Sequence, residues 1–149
     1  MFKVLGVSVS TEEMNIKNNH VPLRNFKLNP TIKRNVGVLD ELNNKYFTLL
    51  AVTIQSTEEM QIPVNLHVSI RAIFTIEKEA GCEQKHIDRF LRLQGVSILY
   101  PYVRSSLSAL TAAAALPPVI LPVVNTLSMF KEDKEWLQEN FGTTNHLAS

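Results

Sequence analysis

The stretch from Ile62 to Ile76 alternates apolar and polar residues more regularly than any other part of the chain. Every even-numbered position is apolar, and the positions between them are mostly polar: Asn65, His67, Ser69, Arg71 and Thr75. Because successive side chains of a β-strand point to opposite faces, this pattern predicts one long strand with a buried face and a wetter face.

Three segments upstream of the long strand also predict strands. Tyr46–Gln55 is rich in β-branched and aromatic residues, and the link Ser56–Gln61 suits the turn of an antiparallel hairpin. Apolar residues keep a two-residue period from Phe26 to Val38, ahead of a turn at Asn43-Asn44, and a weaker strand, Lys3–Thr11, opens the chain. Four strands joined by short turns predict an antiparallel meander.

The second half of the chain changes to helical periods. A short charged helix carries Ile87, Phe90 and Leu91 on one face, and Gly95 can end it. An amphipathic helix of about four turns follows, with Pro101 in its first turn. Its apolar positions step by three or four: Leu99, Val103, Leu107, Leu110 and Ala114.

Prolines exclude a helix from Leu116–Val124, and a last helix follows this segment. Asn125 can cap that helix and Gly142 can stop it. Its inward residues are expected to be Leu127, Phe130, Leu137 and Phe141. Strands followed by helices predict an α+β fold, with the helices on one face of a four-stranded sheet.

Length, charge and composition limit the classes of protein to which this chain can belong. A chain of 149 residues is expected to form a single domain, 1–149. Its net charge of +1 and its lack of a basic run argue against nucleic acid as a partner. Cys82 is the only cysteine, which favours a reducing compartment. No signal peptide opens the chain, and the apolar stretch from Ala112 to Val124 is too short and too rich in proline to span a membrane, so a cytoplasmic location is expected.

Signatures of enzymes are missing from the sequence, which predicts no catalytic residue, cofactor or metal. Cys82 and His86 are four apart and would share a helix face, which a Cys/His nucleophile pair or a two-ligand metal site could use, so an enzyme or small-ligand-binding domain is a further alternative. No third ligand lies nearby, and a free thiol and a solvated histidine are expected instead. Acidic residues dominate the charge run from Glu132 to Glu135. It is expected to be a solvated face near the positive end of a helix dipole.

The proline-rich stretch Leu116–Val124 is too apolar for an ordinary loop and unsuited to a central strand. One interpretation is a connector packed over the core or in a subunit interface. The other is a pre-extended apolar lip beside a groove that takes extended polypeptide. Composition does not separate the two.

Three motifs resemble those of SecB-type export chaperones over roughly Phe26 to Phe141. Ser97-Ile-Leu-Tyr-Pro-Tyr-Val-Arg104 is similar to the Asn-Ile-Leu-Phe-Pro-Tyr-Ala-Arg signature of that family's long helix. Leu116-Pro117, with Val119, Leu121, Val124-Asn125 and Phe130, resembles its crossover and following helix. Ile73-Phe-Thr-Ile76 is similar to its Gly-Ile-Phe-Ser-Ile.

The resemblance implies an ATP-independent holdase, built as a homotetramer (a dimer of dimers), that keeps precursor polypeptides unfolded. Clients of that family lie in long apolar grooves. Carried over to this sequence, the groove residues are Tyr100, Tyr102, Leu116, Val119, Ile120, Leu121, Val124 and Phe130.

The resemblance implies two alternative partners besides precursor polypeptides, the SecA motor and an antitoxin. Docking of the SecA motor uses an acidic sheet surface in the family, yet the wetter face of the long strand offers no acid between Asn65 and Arg71. Glu12 and Glu13 could supply negative charge elsewhere. Some SecB-like proteins instead protect the antitoxin of a toxin–antitoxin pair, which is the alternative function expected here.

Overall fold

The computed structural model describes residues 1–21, 29–59, 61–114, 116, 119–122 and 124–142. The strands are β1 (Phe2–Asn18), β2 (Thr31–Asp40), β3 (Lys45–Ile54) and β4 (Val64–Lys78). The helices are α1 (Gln84–Arg89), α2 (Gly95–Ala113) and α3 (Glu132–Phe141), with a π-helical segment at Phe90–Gln94 and a 3-10 turn at Thr126–Ser128. Phe26 and Leu28, which contributed to the predicted second strand, lie outside the described residues.

The four strands form one antiparallel sheet in the order β1-β4-β3-β2. This confirms the predicted α+β class, and β2, β3 and β4 form the predicted meander. The meander must be corrected at β1, which pairs with β4 and does not lie beside β2. Length accounts for the difference, since β1 (17 residues) and β4 (15 residues) pair from end to end, whereas β2 and β3 have 10 residues each.

One face of the sheet is buried under the helices. Even-numbered residues of β3 and β4 point to this face and are buried, from Tyr46 to Ile54 and from Val64 to Ile76. Helix α2 covers them with Leu99, Val103 and Leu107, all three fully buried, as the spacing predicted. The prediction is wrong at Ala114, which is exposed beyond the end of α2, and Leu110 is half-buried. The odd-numbered residues form the other face, which is called the helix-free face below.

Gly95 joins two helical segments and does not end one. The chain runs from α1 through the π-helical segment into α2, which starts at Gly95. A Cβ at Gly95 would collide with the hydroxyl oxygen of Thr48 and lie 2.8 Å from its Cβ. The buried Thr48 hydroxyl donates to the Leu91 carbonyl at 2.7 Å, so the glycine lets the helix approach β3 closely. Pro101 therefore lies inside α2, beyond its first turn.

The C-terminal helix starts later than Asn125. Asn125 instead caps the 3-10 turn, where its Oδ1 accepts from the Leu127 backbone N–H at 3.1 Å. Leu127 and Phe130 thus precede α3, and both are half-buried. Gly142 ends α3 in the left-handed region, with φ of 69°, as predicted.

The acidic run at the start of α3 contains a buried residue, which corrects the expectation of a solvated face. Asp133 has a side chain only 2% exposed and receives two hydrogen bonds from Arg34 of β2, at 2.6 and 2.7 Å. Arg92 donates a third at 3.3 Å. The Arg34 guanidinium also lies 4.2 Å from the centre of the Phe130 ring. This ionic cluster ties α3 to the edge of the sheet and to the π-helical segment.

Replacing Gly95 with Ala is expected to destabilise the protein by about 2 kcal/mol. Alanine normally favours a helix over glycine by about 1 kcal/mol, but the collision with a buried, hydrogen-bonded Thr48 outweighs that gain. Urea unfolding measures the change. Gly6→Ala is the control, because a Cβ there meets no atom within 4 Å. Equal midpoints for the two variants would contradict the close contact.

Replacing Asp133 with Asn is expected to cost about 3 kcal/mol, because it removes the buried charge that accepts both short hydrogen bonds of Arg34 and leaves only exposed Glu132, at 4.0 Å, as a negative partner. Trp136, the only tryptophan, lies on α3, so its fluorescence reports the detachment of that helix during urea unfolding. Glu135→Gln, an exposed position on the same helix, should change stability by less than about 0.5 kcal/mol. A variant D133N as stable as E135Q would show that the ionic cluster does not hold α3.

Candidate functional site

The segment 116–125 is called the crossover below; its described residues lie alongside α2 and are held to it by side chains of one helix stripe. The stripe consists of polar residues three or four apart. Tyr100 donates to the Pro122 carbonyl at 2.7 Å, Arg104 Nε to the Leu121 carbonyl at 2.8 Å, and Ser108 to the Val119 carbonyl at 3.1 Å. Thr111 accepts from the Val119 backbone N–H at 3.0 Å, and the hydroxyls of Ser97 and Thr126 lie 2.6 Å apart.

These contacts provide partners for backbone carbonyls that the prolines of the crossover leave without regular hydrogen bonds. Prolines lack the N–H needed for a helix or a central strand, so the carbonyls of this segment have no regular partners. Helix side chains supply the missing donors, and the described crossover residues lie outside any helix or strand, as predicted. The result is an extended segment fixed in position along α2.

Crossover side chains alternate between the core and the surface. Val119 and Leu121 are 4% and 1% exposed and pack in the core, whereas Ile120 and Val124 are 62% and 39% exposed. On α2 the same division separates buried Tyr100 from exposed Tyr102. The crossover is therefore anchored by one set of predicted groove residues and presents another set to the surface.

An open cleft of about 310 Å³ lies between the crossover and the first part of β2. It brings together three predicted groove residues: Tyr100, Leu121 and Val124. The other lining residues are Pro30, Ile32, Pro122, Asn125, Ser128 and Met129. None of these nine residues is an acid or a base, so the cleft suits an uncharged, largely apolar group.

The remaining predicted groove residues do not line this cleft. Tyr102 of α2 and Ile120 of the crossover are exposed, and the crossover residue Val119 points into the core. Leu116 and Phe130 are half-buried against the core. Phe130 lies under the Arg34 guanidinium and belongs to the ionic cluster that holds α3.

Sequence reasoning missed two groups of residues at this site. Ile32 and Met129 line the cleft but are distant in sequence from α2, and no local pattern pairs them with it. Arg104, Ser108 and Thr111 carry the hydrogen bonds to the crossover. Their spacing of four and three residues was a signal available in the sequence, since it places them on one helix face.

Burial sets the protonation behaviour of Tyr100. Desolvation raises the pKa of its phenol above the ordinary value, and the nearby positive charge of Arg104 partly opposes that rise. The phenol therefore keeps its proton, and its hydrogen bond to Pro122, throughout the neutral range.

Cys82 and His86 do not share a helix face. Cys82 lies before α1 begins at Gln84, which corrects the expectation of a shared helix face. His86 is half-buried, with its ring centre 5.5 Å from that of Phe141. Among the described residues, no three histidines, cysteines or acids are placed to hold a metal ion. No helix in the same residues is long and apolar enough to cross a membrane.

The two acids of β1 lie against basic side chains of β4. Glu12 pairs with Arg71 at 3.1 Å, and Glu13 lies 3.1 Å from Nε2 of His67, whose Nδ1 is 2.8 Å from the Thr53 hydroxyl. The structure thus brings negative charge beside the wetter strand face, and it also places a positive or polar partner against each acid.

Comparisons with known proteins find one matching family and several similar proteins. The family described as preprotein translocase subunit SecB matches residues 7–136. An uncharacterized protein of Methanocaldococcus jannaschii is 33% identical over 129 residues, covering 82% of this chain and 79% of that protein. The protein-export protein SecB of Anaplasma phagocytophilum is 29% identical over 87 residues, which cover 58% of this chain. The match spans only 55% of that SecB's length.

A solved structure shares the fold. It is a SecB-like chaperone of Mycobacterium tuberculosis in complex with a peptide from an antitoxin. It superposes with a TM-score of 0.69 at 15% identity, covering 83% of this chain and 90% of that one.

Replacing Tyr100 with Phe is expected to lower stability at neutral pH by about 1 kcal/mol, through loss of the hydrogen bond to Pro122. Because the folded-state pKa is raised, the wild-type phenol holds its proton more tightly when folded, so stability falls as the pH rises past about 10. The variant lacks this contribution, and the gap between the two proteins should narrow in alkaline urea titrations. Tyr102→Phe, at an exposed position, should match wild type throughout. A constant gap from neutral to alkaline pH would contradict the assignment to Tyr100.

Proposed function

The chain belongs to the SecB family, and we propose that it is an ATP-independent chaperone that holds non-native polypeptide on the crossover and the adjoining cleft. It acts by binding, without catalysis or a cofactor, and it works in the cytoplasm. The observation that carries the proposal is the fixed, extended crossover with apolar side chains turned to the surface beside an uncharged cleft.

Apolar burial suits the task of a holdase. Covering apolar surface contributes roughly 25 cal/mol per Å², and this term does not depend on a particular client sequence. A cleft of about 310 Å³ accepts one large apolar side chain, and exposed Ile120 adds apolar area outside it. Since α2 already fixes the crossover, little conformational entropy remains to be lost when a client binds.

Each predicted groove residue has a proposed part. Tyr102, Ile120 and Val124 are the exposed residues that contact the client. Tyr100 and Leu121 form the wall of the cleft, and Val119 anchors the crossover below it. Leu116 and Phe130, both half-buried, support the two ends of the crossover.

A homotetramer, as a dimer of dimers, is the proposed assembly. Strand β1 is the feature that supports it, because α2 covers mainly β3 and β4 and leaves β1 largely exposed. Val4, Val7 and Met14 are 37%, 49% and 41% exposed on the helix-facing side of this edge strand. A second copy packed against β1 would cover them.

A dedicated antitoxin chaperone is the second candidate function. Glu12 is paired with Arg71, and Glu13 lies 3.1 Å from Nε2 of His67, so each acid of β1 already has a partner on β4 instead of standing free on an acidic sheet surface. The similar Mycobacterium tuberculosis chaperone, whose solved structure holds an antitoxin peptide, supports this alternative. Deleting the gene beside a neighbouring toxin–antitoxin pair tests it, because unchanged toxicity would remove the antitoxin function.

Light scattering of an aggregating unfolded precursor tests the main proposal. The chain should suppress aggregation at about one subunit per client site. No suppression at several-fold excess would contradict holdase activity.

Replacing both Ile120 and Val124 with Ser is expected to weaken suppression at least several-fold, since each change removes exposed apolar area at the site. The fold should be unaffected, because both positions are exposed. Leu42→Ser is the matched control, since Leu42 is a 95% exposed apolar residue in the turn between β2 and β3. If the control loses as much activity as the double variant, the crossover is not the binding surface.

A further inference from the structure

We propose that a second cleft binds a small amphipathic carboxylate, such as a medium-chain fatty acid. The cleft, called the Arg89 cleft below, has a volume of about 340 Å³, which is within the range of small-molecule sites. It lies between the start of β1, the helical run from α1 through the π-helical segment, and the 3-10 turn. Its lining residues are Phe2, His86, Arg89, Phe90, Leu93, Gln94 and Leu127. None of them lines the cleft beside the crossover, so this site is separate from the surface proposed for clients.

The first observation is that the positive charge of Arg89 has no acidic partner. The other two cations of the same helical run, Lys85 and Arg92, each have a carboxylate within 3.6 Å. Arg89 forms no ion pair and no hydrogen bond through its side chain within the part of the chain that the structure describes. No acid lines the Arg89 cleft either. The charge of Arg89 is therefore available to an anion that enters the cleft.

The second observation is the way in which Arg89 is held. Its guanidinium carbon lies 4.5 Å from the centre of the Phe141 ring, and the residue is half-buried. A cation–π contact positions a guanidinium but supplies no acceptor oxygen to its N–H groups. A carboxylate is the group that matches two parallel N–H donors of an arginine. Arg89 thus combines a restrained position with donors that suit a carboxylate.

The third observation is the apolar part of the lining, which suits the body of an amphipathic ligand. Four of the seven lining residues are apolar: Phe2, Phe90, Leu93 and Leu127. The ring of Phe90 packs edge to face against two others, with centres 5.6 Å from Phe2 and 5.1 Å from Phe74. These contacts make the wall of the cleft rigid. An aliphatic or aromatic body buried on this wall places its carboxylate beside Arg89.

The π-helical segment supplies three of the lining residues, Phe90, Leu93 and Gln94. A π-helical turn has one more residue than an α-helical turn. Such turns are rare, and they occur frequently at functional sites. This local geometry supports a role for the run beyond the connection of α1 to α2.

His86 adds a second group that can donate to a carboxylate. Its Nδ1 atom is buried and has no hydrogen-bond partner among the described residues. An unpaired buried polar atom costs free energy. A carboxylate in the cleft gives the imidazole an acceptor after a rotation of the ring, so anion binding removes part of that cost.

Methyl NMR of the full chain, labelled at its leucine methyl groups, tests the proposal with octanoate as the probe. Leu93 and Leu127 report on the Arg89 cleft, whereas Leu121 lines the cleft beside the crossover. Octanoate at millimolar concentration should shift the resonances of Leu93 and Leu127 in a saturable manner and leave Leu121 unchanged. Shifts that saturate at Leu121 and not at the other two would place the ligand beside the crossover and overturn the proposal. The absence of any saturable shift would overturn it as well.

Octanamide tests the part played by charge without altering the protein, because it has the same apolar body as octanoate and no negative charge. It should bind roughly tenfold more weakly than octanoate, since it cannot form the charged hydrogen bonds to Arg89. Equal affinities for the two compounds would show that apolar contact alone holds the ligand, and the proposal would then be wrong.

Replacing Arg89 with Gln should lower the affinity for octanoate roughly tenfold and abolish the preference for octanoate over octanamide. Lys85→Gln is the matched control. Lys85 is also a cation beside the Phe141 ring, at 5.1 Å, but its charge already has Glu83 as a partner. This variant should bind octanoate within about twofold of wild type. An equal loss of affinity in both variants would show that general positive charge attracts the ligand and would contradict a specific site at Arg89.

Discussion

The hydrogen bonds between α2 and the crossover are the constraint on which the candidate site depends. A segment with prolines at 117, 118 and 122 cannot satisfy its own carbonyls, yet Val119 and Leu121 of this segment are buried in the core. Tyr100, Arg104 and Ser108 satisfy three of those carbonyls from a single helix face. This arrangement turns an apolar segment that would otherwise be a loop into a fixed surface.

Polar contacts within the core fix the positions of helices α2 and α3 over the sheet, and α2 carries the crossover. Thr48 hydrogen bonds to the Leu91 carbonyl where Gly95 lets the helix approach β3, so the contact sets where α2 lies over the sheet. Asp133 does the same for α3, because Arg34 and Arg92 converge on it from β2 and the π-helical segment. Apolar burial alone would favour several nearby positions of the helices about equally. These hydrogen bonds and ion pairs are directional, so they favour one position.

Local patterns in the sequence predict much of the fold and part of the site. The alternation from Ile62 to Ile76 identifies β4 and its buried face, and the prolines identify the crossover as extended. The place of β1 could not be predicted, because it depends on the pairing of residues that are 46 (Asn18 and Val64) to 76 (Phe2 and Lys78) positions apart. In the sequence Asp133 is one acid among several. Its buried ion pair is visible only in the structure, because its partner Arg34 lies 99 positions away along the chain. The sequence also could not predict that Ile32 and Met129 line one cleft, because they too are far apart along the chain.

Photo-cross-linking to an unfolded client tests the central claim most directly. A benzophenone amino acid would replace Ile120 on the crossover, and in separate proteins Leu42 on the β2–β3 turn or Ser8 on the helix-free face of β1. We expect strong adducts from position 120 and weak ones from positions 42 and 8. Adducts of similar yield from all three positions, or none from position 120, would contradict it.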